Sequence, residues 1–198
     1  MMVKRSVREI EEFCGWDLLI EIVERAQGLR IKALIATLFL TGGRISEVLS
    51  LKRSNFDLSR DEEIIVRRMP VGKRFKKVGE RIVDGKKRWI TEKVKAYRSF
   101  PIMRREPLVP FLVNYLETLK PRIRLFTITR VRAFQIIRGL CGKYPHWFRA
   151  QRACQLAEEY DLELNALMDF FSWRDVKTAM RYTSLGWRGL ARKMRVHV

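Results

Sequence analysis

Acidic residues are scarce in this chain of 198 residues: 22 Asp and Glu stand against 41 Lys and Arg, which gives a formal net charge of +19. That balance predicts a polyanionic partner such as DNA, RNA or an anionic membrane. A solubilising surface or adaptation to high temperature is the alternative explanation. Because 47% of the residues are hydrophobic, the chain is not a disordered tail, and its length suits one domain with a substantial core.

Cysteine and histidine are also rare, which limits the chemistry. The three cysteines, Cys14, Cys141 and Cys154, are odd in number and widely spaced, so we expect buried thiols of a cytosolic protein. The two histidines, His146 and His197, belong to no Cys/His cluster with ligand spacing, so no metal site is expected. No apolar run is long enough to span a membrane, and no hydrophobic segment follows the basic start as it would in a secretory signal.

Hydrophobic periodicity divides the chain into a helical part, a strand-rich part and a second helical part. Helical spacing predicts helices at 6–14, 16–26 and 30–40, and the third is apolar nearly all round and therefore central. Strand patterns follow at 55–58, 63–68, 81–83, 88–90 and 94–103, with Asp84-Gly85 as a hairpin turn between the third and the fourth. Helical spacing returns at 108–119, 129–141, 146–157 and 162–171. We expect an α+β domain, mainly α, with a small antiparallel sheet.

A glycine elbow follows the predicted central helix. Gly42 and Gly43 break that helix, and Arg44 begins a new one with Glu47 on the same face three residues later. Such a pair is ordinarily a surface ion pair worth under about 1 kcal/mol. After a buried helix and an elbow, however, an arginine can enter a cleft, where its planar and permanently charged fork suits a phosphate group.

The segment from 67 to 98 carries over half of the excess positive charge, with 13 Lys or Arg against three acids. We expect a long basic hairpin that reaches over a phosphate backbone. A solvated edge that discourages strand pairing is the alternative. The candidate DNA-contacting residues in this hairpin region are Arg74, Lys76, Lys77, Lys86, Lys87, Arg88 and Lys95.

A His-x-x-Arg motif lies at the start of a predicted helix. Pro145 favours the first helical position, so His146 and Arg149 lie on one face of the first turn. A lone histidine at a helix start is more often structural than catalytic. Its value as a candidate therefore depends on what else shares that face.

A short amphipathic helix near the C-terminus carries a tyrosine nine residues after a tryptophan. Ser172-x-x-Asp175 fits a helix cap, which would begin the helix at Trp173 and place Tyr182 in its last turn. By themselves the indole and the phenol are ordinary packing residues. Because Gly186 follows closely, we expect Tyr182 to be out of line for attack in the absence of DNA.

In this order, the elbow arginine with its carboxylate, the basic hairpin, His-x-x-Arg, the indole and the tyrosine resemble the catalytic domain of the tyrosine recombinases, the phage-integrase-like enzymes. Residues 168–173 are similar to archaeal members, and the resemblance covers 6–192. It implies the tyrosine-recombinase catalytic fold as a single domain over 1–198, without the usual N-terminal core-binding domain. The tail, 187–198, would dock on a neighbouring protomer, as is frequent in the family, or pack on its own domain.

The resemblance also implies a role for each residue of the set. The implied catalytic residues are Arg44, Lys73, His146, Arg149, Trp173 and Tyr182, with Glu47 in support. The arginines clamp the phosphate, the histidine accepts the proton of the tyrosine nucleophile, and the indole donates to a phosphate oxygen. A hairpin lysine protonates the 5′-hydroxyl leaving group. Lys73 is the first choice, with Lys76, Lys77 and Lys95 as competitors, and Ala150 departs from relatives that carry histidine there.

The function implied by the resemblance is that of a site-specific DNA recombinase or integrase, encoded by an archaeal virus or plasmid. It would cleave and rejoin double-stranded DNA through a 3′-phosphotyrosyl intermediate, without a metal or a small-molecule cofactor. We expect a cytoplasmic, nucleoid-associated protein that forms a tetrameric synapse on DNA and does not bind membranes. The alternatives are a non-catalytic DNA-binding protein derived from a recombinase and a type IB topoisomerase-like enzyme.

Overall fold

The structure, a computed structural model, describes residues 12–72, 75–183 and 194. Within these residues the chain forms eight α-helices and five β-strands. Three helices come first: α1 (Trp16–Glu24), α2 (Leu29–Thr41) and α3 (Ile45–Val48). The strands follow: β1 (Phe56–Asp57), β2 (Glu63–Pro70), β3 (Phe75–Val83), β4 (Lys86–Lys93) and β5 (Tyr97–Met103). The remaining helices are α4 (Val109–Glu117), α5 (Arg130–Cys141), α6 (Pro145–Glu158), α7 (Leu164–Phe171) and α8 (Val176–Thr183).

Helix α2 is the centre of the core, as its nearly continuous apolar sequence predicts. Residues 33–41 are all buried, and the helix packs against α1, α3, α4 and α6. Two threonines in this buried stretch satisfy their hydroxyl groups inside the helix. Thr37 Oγ1 donates to the carbonyl of Ala33 and Thr41 Oγ1 to the carbonyl of Thr37, each at 2.6 Å. The helix can therefore be buried on every side without leaving an unpaired hydroxyl.

Strands β1, β2 and β5 form one antiparallel sheet, with β2 in the centre. Alternate residues of β2 and β5 face the core, and Val66 pairs with Phe100 in the register. A bulge lies between Val66 and Met69, where Arg68 has a φ of 53° and its N–H donates to Ser99 Oγ at 3.0 Å. The bulge lets the end of β2 turn Met69 toward the glycine elbow, where its methyl group fills the space beside Gly43.

Strands β3 and β4 form a separate two-stranded hairpin, as predicted. Asp84 and Gly85 connect them with φ angles of 53° and 70°, the left-handed pair that a tight two-residue turn requires. Large apolar side chains on the hairpin are about half exposed or more, among them Ile82 and Trp89. The described hairpin residues thus extend from the domain rather than contribute to its core.

The start of the chain differs from the prediction. Residues 12–15 are not helical, and Gly15 has a φ of 87°; the rest of the predicted 6–14 helix lies outside the described residues. The N–H groups of Phe13 and Cys14 donate to the side chains of Glu158 and Gln151 on α6, at 2.9 and 2.7 Å. Tertiary hydrogen bonds have therefore replaced the helical ones that local sequence favours.

The thiols also differ in part from the prediction. Cys154 is buried, but Cys14 and Cys141 are only partly buried, because they lie near the ends of their segments. Burial raises the pKa of the Cys14 thiol to about 11. No helix of the described part is long and apolar enough to cross a membrane.

Candidate active site

The glycine elbow between α2 and α3 leaves no room for side chains. Gly42 ends α2 with a left-handed φ of 54°, and a Cβ atom added there would lie 2.3 Å from Cε1 of Phe171. A Cβ added at Gly43 would lie 2.3 Å from Cε of Met69. Only glycine fits both the backbone angle and the close approach at position 42. Gly42 and Gly43 together therefore fix the position of Arg44 at the start of α3.

Glu47 is the buried carboxylate beneath this elbow, with 3% of its side chain exposed. Its Oε1 accepts from Arg44 Nη1 and from the Gly72 N–H, both at 2.8 Å, and its Oε2 accepts from the Arg44 N–H at 2.9 Å. Burial pushes the pKa of Glu47 upward, but these hydrogen bonds and the charge of Arg44 outweigh it and hold the pKa below its usual value. The carboxylate therefore joins Arg44 to the segment that leads into the hairpin.

Arg149, in the first turn of α6, is almost fully buried, with 2% of its side chain exposed. Its Nη1 donates to the Gly42 carbonyl at 2.5 Å and its Nη2 to the Phe171 carbonyl at 3.2 Å. Its Nη1 also lies 4.0 Å from Oε2 of Glu47. Burial, followed by repulsion from Arg44, lowers the pKa of Arg149 to about 10, and the negative charge of Glu47 acts in the opposite direction.

The tyrosine helix, α8, begins at Val176 rather than at the indole, so the predicted start was wrong. Asp175 caps it, because its carboxylate accepts from the Lys177 N–H at 3.1 Å. The preceding helix, α7, ends in Ser172, which has a left-handed φ of 54°. Trp173 therefore lies in the loop between α7 and α8, a position that local capping patterns do not reveal.

Trp173 and Tyr182 are two members of a stack of three aromatic rings. The Trp173 ring lies 4.4 Å from the Phe171 ring and 5.3 Å from the Tyr182 ring, with interplanar angles of 16° and 14°. The Arg149 guanidinium lies 4.8 Å from the Phe171 ring and 5.6 Å from the Trp173 ring. The stack holds the half-buried phenol against the wall of the site. The expectation that Tyr182 is out of line for attack without DNA stays a prediction, because a bound phosphate defines the line of attack.

These groups line one open cleft of about 460 Å³. Five predicted site residues contribute to its wall: Arg44, His146, Arg149, Trp173 and Tyr182. His146 is exposed at the start of α6, and Arg174, which sequence reasoning did not single out, adds another cation to the rim. The remaining lining residues are Val71, Gly72, Phe75, Ser172, Asp175 and Thr178. Residues from four distant parts of the chain thus meet in one place.

The lysine of the predicted set lies next to this cleft in the sequence. Lys73 and Arg74 lie outside the described residues, between Gly72 and Phe75, both of which line the cleft. The competing candidates Lys76, Lys77 and Lys95 are exposed, and none of them lines the cleft.

Apart from Arg74, the predicted DNA-contacting residues lie along the two hairpin strands and the segment that follows them. Lys76, Lys77, Lys87, Arg88 and Lys95 are all exposed, and the side chain of Lys86 lies outside the described part. Lys77 Nζ lies 3.9 Å from the centre of the Trp89 ring, and Lys87 Nζ lies 3.3 Å from a Glu80 carboxylate oxygen.

Within 12–72 and 75–183, no three His, Cys, Asp or Glu side chains lie close enough together to hold a metal ion.

Two buried arginines were missed by sequence reasoning. Arg98 is 6% exposed and Arg152 is 1% exposed. Arg152 lies one turn after Arg149 on α6 and donates to Glu106 Oε2 at 2.6 Å and to Gln155 Oε1 at 2.8 Å. The only sequence signal for burial was that both arginines lie among apolar residues: Arg98 in a strand, and Arg152 three residues after Arg149. Because most other arginines of the chain are exposed, this signal was not recognised.

Comparisons with known proteins agree with this fold. The model of the phage integrase family matches residues 15–186, and the chain therefore belongs to that family. Among curated proteins, no sequence matches the chain. The family match includes the elbow, the hairpin, the His-x-x-Arg helix and the tyrosine helix.

Several solved structures share the fold. The XerA recombinase has 22% identity and a TM-score of 0.62, over 95% of this chain and 66% of that chain. The XerH site-specific recombinase bound to its difH substrate has 17% identity and a TM-score of 0.59, over 88% of this chain and 50% of that chain. The Tn1549 transposon integrase in complex with transposon right end DNA has 15% identity and a TM-score of 0.57, over 99% and 68%. The chain thus spans one half to two thirds of the length of these neighbours.

Proposed function

We propose that this chain cleaves and rejoins DNA as the catalytic domain of a tyrosine recombinase, with Tyr182 as the nucleophile. The observation that carries the proposal is the convergence of Arg44, His146, Arg149, Trp173 and Tyr182 on one cleft. Phosphoryl transfer needs a nucleophile, a proton acceptor and fixed cations around one phosphorus atom, and the cleft offers all three. Family membership adds independent support.

The chemistry assigned to the cleft is a transesterification. The Tyr182 oxygen attacks phosphorus, the phenol proton passes to His146, and the bond from phosphorus to the 5′ oxygen breaks. The product is a 3′-phosphotyrosyl ester and a free 5′-hydroxyl group. Rejoining is the reverse reaction, with the 5′-hydroxyl as nucleophile and the phenol as leaving group.

The two cleft arginines would stabilise the charge that builds up on the non-bridging oxygens. Arg149 is held by two backbone carbonyls and Arg44 by the Glu47 carboxylate, so both guanidinium groups are oriented before substrate arrives. The Trp173 indole N–H is a donor only, which suits a phosphate oxygen but cannot relay a proton. A lysine near the hairpin base would protonate the leaving oxygen, with Lys73 as first choice and Lys76, Lys77 and Lys95 as competitors.

Double-stranded DNA is the proposed partner. The exposed cations of the hairpin suit a phosphate backbone, and the XerH and Tn1549 neighbours were solved with DNA. We further propose that the whole chain forms one catalytic domain, acts in association with cellular DNA and assembles as a tetramer on two sites. The 187–198 tail, of which the structure describes only Met194, is the proposed contact between protomers.

A covalent-trapping experiment tests the function. Duplexes enriched by binding to the Tyr182→Phe variant are nicked next to each potential cleavage position, so that a short product diffuses away after attack and the covalent intermediate accumulates. The wild-type protein should then form a DNA adduct that survives denaturing electrophoresis. Mass spectrometry should place the adduct at Tyr182, and the Tyr182→Phe variant should form none.

The outcomes also separate the alternatives. Sequence-specific binding without an adduct would refute the catalytic proposal in favour of a DNA-binding protein derived from a recombinase. Relaxation of supercoiled plasmid without sequence preference would favour the topoisomerase-like alternative.

A further inference from the structure

Arg98 lies in β5, at the base of the hairpin, with its side chain beneath the cleft rather than in it. Its Nη2 donates to the Thr41 carbonyl at 2.7 Å and lies 3.5 Å from Sδ of Met69, and its Nη1 donates to the Phe170 carbonyl. The guanidinium also lies 4.4 Å from the centre of the Phe100 ring. This side chain therefore joins the end of α2 to the end of α7.

Arg149 makes the same connection one residue further along each helix. It donates to the carbonyls of Gly42 and Phe171, whereas Arg98 donates to those of Thr41 and Phe170. The two arginines thus bind consecutive carbonyls at two helix ends. We call this arrangement the paired arginine clamp.

The clamp has a clear physical basis. The last carbonyls of a helix lack partners within the helix and carry its partial negative charge, so a cation with several donors is favoured there. A guanidinium is a rigid fork that reaches two carbonyls at once, which an ammonium group cannot do with the same geometry. Both helix ends also turn in left-handed residues, Gly42 and Ser172, each with a φ of 54°.

Two cations so close together repel each other. Burial, followed by the charge of Arg149, lowers the pKa of Arg98 to about 9. The carbonyls, the Glu47 carboxylate and the faces of the phenylalanine rings offset this cost. Burial of the Arg98 charge is therefore unfavourable, and the contacts of its guanidinium group compensate for that cost.

The residues that follow the clamped carbonyls are those of the proposed active site. Arg44 lies two residues after Gly42, and Trp173 two residues after Phe171. We propose that Arg98 is a positioning residue, which sets the spacing between the glycine elbow and the Trp173 loop and so aligns Arg149 and the Tyr182 stack with the same phosphate. This inference rests on the proposed function, since it concerns the same reaction.

The test compares Arg98→Lys with a matched control, Arg104→Lys. Arg104 lies just past the other end of β5 and also bridges two backbone carbonyls, those of Arg60 and Leu58 at 2.8 and 2.7 Å, away from the cleft. Both changes keep the charge and lose a two-carbonyl bridge. We expect Arg98→Lys to cleave the nicked duplex about 10²-fold more slowly, because small misplacements cost that much, and Arg104→Lys to cleave at the wild-type rate. DNA affinity, measured in the Tyr182→Phe background, should not change in either.

A second substrate separates positioning from general destabilisation. In a methylphosphonate linkage one charged non-bridging oxygen is replaced by a methyl group, so the requirement for well-placed guanidinium groups is weaker. The deficit of Arg98→Lys should shrink about tenfold on this substrate. A partly unfolded protein would lose the same fraction of activity on both substrates, and that result would overturn the proposal.

Hydrogen exchange tests the clamp without any cleavage. Amides of 42–44 and 171–173 should exchange faster in Arg98→Lys and at the wild-type rate in Arg104→Lys. If the wild-type protein forms no adduct, the proposed function fails, but this measurement still decides whether Arg98 holds the two segments. Equal exchange in the two variants, or equal cleavage, would overturn the inference.

A milder variant covers the case in which Arg98→Lys does not fold. Phe100→Leu keeps the strand apolar and removes the ring face beside the guanidinium, together with the ring contact to Phe170. It should show the same pattern with a smaller deficit: slower cleavage, partial recovery on the methylphosphonate and faster exchange in the same segments. A Phe100→Leu protein that is folded and wild-type in all three measurements would count against the proposal.

Discussion

The hairpin and the cleft are both rich in cations, but they hold them in opposite ways. The hairpin cations, such as Lys76 and Arg88, are exposed along a pair of strands that extends from the domain. In the cleft, Arg149 is 2% exposed and is held by two carbonyls, two ring faces and a nearby carboxylate. An exposed cation acts mainly through its charge, whereas a buried one acts through its position.

The net charge counts exposed and buried cations alike, although the two kinds act differently. The net charge of +19 predicts the class of partner, and the hairpin accounts for much of it. The site depends instead on a few charges whose desolvation must be offset by specific contacts. Substitutions in the two regions should therefore have different consequences, and the following experiments test that contrast.

The largest effect is expected for Arg149→Lys. This change keeps the charge but loses the two-carbonyl bridge and the orientation of the donors. Loss of one such oriented donor costs about 10² to 10³ in rate, so we expect covalent adduct formation to fall by that factor. Single-turnover cleavage of the nicked duplex measures it.

Arg152→Lys is the matched control for that change. Arg152 lies one turn further along α6 and is also buried, but it is bonded to Glu106 rather than to the cleft. It should lower the melting temperature while cleavage per folded molecule stays at the wild-type level. Equal rate losses in the two variants would mean that the cleft arginine is not distinguished by its position.

Gly42→Ala should have the next largest effect. A side chain at this position has both a left-handed φ of 54° and a contact of 2.3 Å with the Phe171 ring. We expect the free energy of unfolding to fall by about 2 to 3 kcal/mol, from backbone strain and overpacking together. Chemical denaturation measures this change.

Gly142→Ala separates the two causes. Gly142 ends α5 in the same left-handed region as Gly42, with a φ of 68°, but nothing lies within 4 Å of an added Cβ. Strain alone should cost about 1 kcal/mol there. If both variants lose the same stability, the close approach to Phe171 contributes nothing.

A smaller effect is expected for neutralisation of the hairpin by the double change Lys87→Gln and Arg88→Gln. Each phosphate contact contributes about 0.9 to the slope of log affinity against log salt, so the slope should fall by up to about 1.8. Stability should change by less than about 1 kcal/mol, because both side chains are exposed. Binding titrations at several salt concentrations test this with duplex DNA.

The control for the hairpin change removes the same charge elsewhere. Lys120 and Arg122 are exposed in the turn after α4, and Lys120→Gln with Arg122→Gln should leave the salt slope nearly unchanged. Identical slopes for the two double variants would mean that binding depends on total charge rather than on the hairpin.

The smallest effect concerns the pH dependence of stability through Glu47. Its folded pKa lies below its unfolded value, so the ionised form stabilises the fold. That contribution is complete above the unfolded pKa, near 4.5, and is lost as pH falls through the folded pKa. We expect unfolding free energy to fall less steeply below about pH 5 in Glu47→Gln than in the wild-type protein. Parallel acid-unfolding curves would contradict the assignment.

Most of the fold could be predicted from sequence and the members of the candidate site could be proposed from it, for different reasons. The apolar run of α2, the Asp84-Gly85 turn and the proline at the start of α6 are local signals, and each formed the predicted element. The site residues could be proposed only through their resemblance to a family. Their arrangement on one cleft is a new observation of the structure, while their catalytic roles stay proposals.

Three features were missed because side-chain packing and hydrogen bonds, rather than hydrophobic periodicity, decide them. Residues 12–15 are not helical, since side chains of α6 bind their N–H groups. The tyrosine helix begins at Val176, because Ser172 ends α7 in a left-handed turn and Trp173 packs between two rings. Arg98 was counted among the cations of the basic segment, although the structure buries it.

The sequence by itself determined the excess of positive charge, the helical and strand periods and the two glycines of the elbow, because charge, hydrophobic spacing and backbone freedom are properties of the residues themselves. Only the tertiary structure decided which cations are held and which are free to meet solvent. That distinction depends on what surrounds each guanidinium. The carbonyls of Thr41, Gly42, Phe170 and Phe171, which hold Arg98 and Arg149, come from helix ends more than a hundred residues apart.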